Sequence, residues 1–125
     1  MKFLESYLMA RIIKHSDIST VTPITDDLEG WVVTEGTPSM KTWIMHSSED
    51  DTMVSGYWEA TPGTYHATYT DYEFVHLIQG EIIITEDGKK PVTLRAGDAF
   101  VVEAGFSGSW KIVKSVRKHF DIKLK

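Results

Sequence analysis

From Lys41 onward the chain alternates short apolar runs with glycine-bearing turns, and no segment of useful length there carries a helical period. This restricts the fold more than any other feature, because closely spaced short strands joined by tight turns build sandwiches and barrels. The β-signals fall at residues 41–46, 52–60, 64–70, 73–78, 81–85, 91–94, 99–102, 109–114 and 117–123. Between them lie Pro62-Gly63, Gln79-Gly80, Glu86-Asp87-Gly88-Lys89, Ala96-Gly97-Asp98 and Ala104-Gly105, which supply glycine where a turn needs positive φ.

A chain of 125 residues suits one domain and one core. Residues 31–125 hold the barrel signals, and residues 1–30 read as an N-terminal arm with edge-strand material. Within the arm, Phe3, Leu4, Tyr7, Leu8 and Ile12 share one face of a short amphipathic helix; the alternative is a leader ahead of a start at Met9. A formal charge of -5 argues against nucleic acid as a partner, because phosphate binding needs a dense basic face. The cations near the end, Lys111, Lys114, Arg117, Lys118 and Lys123, are interleaved with apolar residues and read as the solvated face of a last strand pair. The absence of cysteine excludes disulfides, thiolate metal sites and a cysteine nucleophile. No apolar run is long enough to span a bilayer and no signal-peptide core is present, so the expectation is a cytoplasmic protein without a membrane partner. No serine sits in a G-x-S-x-G elbow.

The stretch from Gly63 to Gly80, with Gly97 to Trp110, resembles the paired signature motifs of the cupin superfamily. More narrowly, Gly56-Tyr57-Trp58-Glu59-Ala60-Thr61-Pro62-Gly63, Ala96-Gly97-Asp98, Ala104-Gly105-Phe106-Ser107-Gly108-Ser109-Trp110 and Val116-Arg117-Lys118-His119-Phe120 are similar to the cupin_3 group. That group is named for the (S)-ureidoglycine aminohydrolase cupin domain and includes proteins similar to the ethanolamine-utilisation cupin. The resemblance covers most of the chain from about Trp31 to Ile122 and implies an all-β double-stranded β-helix, or jelly-roll cupin barrel, behind a short arm.

Metal-binding cupins hold their ion with histidines and a glutamate pointing into the barrel, a donor set that suits Mn, Fe, Ni or Zn. Aligned on Gly80, Glu73 takes the glutamate position, and Ala67 and Tyr69 stand where histidines belong; a looser spacing places His66 and Thr68 there instead. In the second motif, Glu103 replaces the proline, Gly108 the histidine and Ile112 the asparagine. The ligand set of the name-giving enzyme therefore does not carry over. If a divalent metal is held, Glu73 and His66 are its candidate ligands.

Strand parity supplies another reading. Tyr65, Ala67 and Tyr69 share one face, Trp58 lies with Gly56 and Ala60, and Trp110 lies two residues beyond Gly108, where its indole can fill the volume a metal and its ligand would take. The expectation is an aromatic-lined cavity of Trp58, Tyr65, Tyr69 and Trp110 around Glu73, binding a small polar molecule. Burial raises a carboxyl pKa, which makes Glu73 the candidate acid/base. His76 falls on the opposite parity from Glu73, and His15, His46 and His119 show no meaningful spacing. Two competing functions remain: a non-catalytic module with a packed barrel, and a divalent-metal enzyme. In the packed-module reading, edge strands and arm residues Phe3, Leu4, Trp31 and Val32 form a homodimer contact.

Overall fold

The computed structural model describes residues 11–124, so most of the helix expected in the arm lies outside the described residues. Eight strands follow the arm: β1 (Trp31–Glu35), β2 (Met40–Ser47), β3 (Met53–Ala60), β4 (Gly63–Thr68), β5 (Tyr72–Glu86), β6 (Val92–Arg95), β7 (Ala99–Val102) and β8 (Ser107–Lys123). A single 3₁₀ turn at Ile18–Thr20 is capped by the Asp17 side chain, which accepts from the Ser19 N–H. The arm joins the sheet where Ile24 and Thr42 exchange backbone hydrogen bonds.

Every strand pairing is antiparallel, and the strands form one curled sheet consistent with the double-stranded β-helix. β8 organises it. Its first half pairs with β4 and its second half with β3, while β5 runs along its other edge. The alternation Gly108, Trp110, Ile112, then Val116, Lys118 and Phe120 points one buried face of β8 inward along its length.

The sequence reading divided both β5 and β8 into two strands, whereas each is continuous. The expected turn at Gln79-Gly80 is an irregularity inside β5, with register shifts from Leu77 to Ile82. Gly80 adopts φ 94°, and a Cβ there would stand 2.3 Å from the Ser115 carbonyl oxygen, so glycine allows the strand to bend without ending. Buried residues pass from odd positions, Glu73, Val75 and Leu77, to even ones, Ile82 and Ile84. Both segments therefore face the same core despite a change of parity.

Candidate functional site

The inner faces of β3, β4, β5 and β8, with Tyr69 just past β4, bring Trp58, Tyr65, Tyr69, Glu73 and Trp110 together. They also bring a residue that the sequence reading placed in solvent. Lys118 stands directly opposite Trp58 on β3 and Leu77 on β5, and its side chain is buried. Its Nζ donates to Glu73 Oε2 at 2.8 Å, and the Tyr69 hydroxyl donates to Glu73 Oε1 at 2.7 Å. The ammonium lies 4.5 Å from the centroid of Trp58 and 4.8 Å from that of Trp110, within reach of both ring quadrupoles.

Electrostatics follow from this enclosure. Burial lowers the Lys118 pKa, with the Glu73 carboxylate acting in the opposite direction. Burial, followed by the adjacent Glu73 charge, raises the Tyr69 hydroxyl well above its ordinary value. Glu73 is therefore one member of a Lys–Glu–Tyr chain, in which Lys118 is the member not expected from the sequence. The overlooked signal was alternation: in Val116-Arg117-Lys118-His119-Phe120, Lys118 shares parity with Val116 and Phe120, the apolar face.

A cavity of about 290 Å³ opens beside this chain, lined in part by Trp31, Thr42, Trp58, Tyr69, Glu73 and Lys118. Exposed Glu29 and Thr70 and half-buried Asp71 lie at its rim. Trp31, assigned to a dimer contact from sequence, instead turns inward against Trp110 and Trp58, with ring centroids 5.0 and 5.6 Å apart. Val32, of opposite parity, is exposed. Tyr65 and Trp110 pack behind the cavity, and the Tyr65 hydroxyl reaches outward to Asp27 at 2.9 Å. At the cavity wall, the buried Thr42 Oγ1 has no hydrogen-bond partner among the described residues; behind it the same holds for Trp110 Nε1.

The residues do not fit a metal centre. His66 faces away from Glu73 and meets Asp87 at 3.1 Å on the outer surface, where Ser107 donates to the same carboxylate oxygen at 2.7 Å. The looser alignment, which paired His66 with Glu73, is thereby overturned: neighbouring strand positions point to opposite faces. Gly108 cannot hold the missing histidine without movement, since a Cβ there would lie 2.3 Å from the Thr85 carbonyl oxygen. Both Glu73 oxygens already accept hydrogen bonds, and no three His, Asp or Glu side chains converge as a metal site among the described residues. His76 is exposed on the outer face, opposite His119. His15, His46 and His119, unrelated by spacing, border one outer cleft, where His15 and His119 have ring centroids 6.3 Å apart.

An antiparallel jelly roll with inward side chains from opposed strands is an architecture that cupins share with other folds. A family model described as the EutQ-like cupin domain matches residues 47–120, and the chain belongs to that family. Among solved structures, it is similar to the EutQ protein of Clostridium difficile, with 17% identity, 70% of each chain covered and a TM-score of 0.62. It is also similar to a predicted oxalate decarboxylase of Thermotoga maritima, with 20% identity, 87% of this chain and 97% of that one covered, and a TM-score of 0.65. A Pseudomonas syringae protein of unknown function gives 21% identity and a TM-score of 0.67 over 82% of this chain, which spans 44% of that protein. At these identities the similarity speaks for the fold alone. No curated protein matches the chain.

Proposed function

We propose that this cupin binds a small polar molecule in the cavity beside Lys118, Glu73 and Tyr69, with Glu73 as the acid/base group of the site. The observation that carries this reading is polar groups bordering open space in an otherwise apolar enclosure. Lys118 has donors beyond the one spent on Glu73, and Thr42 Oγ1 has no partner among the described residues. A volume of about 290 Å³ has room for roughly ten waters at ~30 Å³ each, more than the packed-module reading allows. Apolar walls with a few convergent polar groups are the ordinary chemistry of small-molecule sites.

Ligand-observed NMR with small neutral fragments carrying amide or hydroxyl groups tests the proposal. The expected result is saturation transfer that disappears in Val54→Trp, which fills the cavity from β3 while leaving the ion pair in place. Equal transfer to the filled variant sinks the reading. If a substrate is found, Glu73→Gln should remove turnover.

The outer face favours a second part of this reading, association with another copy of the chain. Phe74, Ile78 and Val101 are 39%, 40% and 43% exposed, and Phe74 lies directly opposite Val101. Sedimentation analysis of Phe74→Lys should shift a dimer towards monomer; an unchanged dimer removes this face from consideration.

A further inference from the structure

We infer that Lys118 is a carbonyl-capturing amine, forming a reversible imine with a small neutral aldehyde admitted to the cavity. This deepens the binding reading and rests on it. Its first support is position: Lys118 lines the cavity, and its Nζ is held by a carboxylate 2.8 Å away that can take its proton. The second is that the same carboxylate accepts from the Tyr69 phenol at 2.7 Å through its other oxygen, which holds Oε2 towards the amine. The third is the ring environment: Trp58 and Trp110 stabilise a cation at this point.

The step balances within these residues. The Lys118 ammonium passes a proton to Glu73, and the neutral amine adds to the carbonyl carbon, forming the C–N bond. The carbonyl oxygen takes up the proton from Glu73 to give a carbinolamine. The nitrogen lone pair then expels that oxygen as water, with the leaving proton drawn from nitrogen through Glu73. In sum, aldehyde and ammonium give a protonated imine and water. One positive charge enters and one remains, so at the imine Glu73 regains its counter-ion and the indoles regain their cation. Burial that depresses the lysine pKa increases the neutral amine available for addition near neutral pH.

The rim selects the class of carbonyl compound. Glu29 and Asp71 border the entrance, and Glu73 lies inside, so an α-keto acid must bring a carboxylate past negative charge. A neutral aldehyde avoids this repulsion and places its tail against apolar walls.

The wild-type full chain, treated with propanal and cyanoborohydride at pH 7, tests the inference by peptide mapping of reductively alkylated lysines. Exposed Lys111 and Lys123 on the same strand are internal references. Lys118 should be modified several-fold faster than either reference, because its burial beside Glu73 favours the neutral amine. The preference should shrink towards pH 10, and pyruvate should label Lys118 several-fold more slowly than propanal. Labelling of Lys118 no faster than the two references overturns the inference. Propanamide, which has a similar shape and cannot form an imine, separates this failure from failure of the binding reading. A propanamide-induced rise in melting temperature without Lys118 labelling overturns imine formation alone, and absence of both effects overturns both proposals.

Discussion

Arg117 and Lys118 are neighbours on β8, and each forms an ion pair with a glutamate at similar distance. Arg117 Nε meets Glu59 Oε1 at 3.0 Å, with side chains 51% and 26% exposed; Lys118 Nζ meets Glu73 Oε2 at 2.8 Å, with side chains 3% and 5% exposed. Strand alternation turns one pair to water and the other into the barrel. The comparison teaches that the chemical meaning of an ion pair lies in what surrounds it. Outside, solvent screens both charges and either can be lost at little cost. Inside, each charge depends on the other for its place in an apolar core.

Removing the cation from each pair gives the widest contrast. Lys118→Met should lower unfolding free energy by about 3–5 kcal/mol in urea titration, because it leaves the Glu73 charge buried with only a phenol to meet it. A loss below about 1 kcal/mol would mean that the inner pair behaves like the outer one. Adding Glu73→Leu to Lys118→Met should recover about 2 kcal/mol or more, since an apolar replacement of both partners removes the stranded charge. If the two losses simply add, the carboxylate and ammonium are not energetically coupled.

Tyr69→Phe should cost about 1.5–3 kcal/mol, the range for a hydrogen bond to a charged group, and should alter the alkaline pH profile. Lys118 is held below its ordinary 10.5, so the unfolded chain binds more protons between the folded value and 10.5, and its contribution makes stability rise with pH there. Tyr69 is held above its ordinary 10.0, so the unfolded phenol ionises first, and its contribution makes stability fall above that pH. The phenylalanine variant should lose part of that alkaline fall. An unchanged profile in thermal melts above pH 10 would separate Tyr69 from the inner network.

Arg117→Met should produce the smallest effect, about 0.2–1 kcal/mol, disappearing in 1 M salt where the screening length is about 3 Å. The inner pair should show little such salt dependence. A salt-sensitive loss in Lys118→Met would show that water reaches the inner charges.

Much of the fold was legible because its signals are local. Glycine-bearing turns and alternating apolar positions gave the all-β class, and parity marked Trp58, Tyr65 and Trp110 as residues of the inner faces of their strands. The continuity of β5 and β8 was less visible, since a glycine that permits a bend within a strand carries the same letter as one that ends it. The site was legible in its aromatic half and obscure in its charge. Lys118 lies among cations that do face water, and only its alternation with Val116 and Phe120 distinguishes it. Its pairing with Glu73, 45 residues earlier, depends on the register of β5 against β8, which local sequence does not specify.

β8 follows β1–β7 in the chain yet lies in the middle of the sheet order, which matters for the growing chain. While β8 is still unsynthesised, β3, β4 and β5 each lack a neighbour, and Glu73 has emerged without its lysine. A ribosome that stalls before this strand leaves a product with open sheet edges and an unmet carboxylate. Such a product presents unpaired strands to aggregation or proteolysis until β8 is in place.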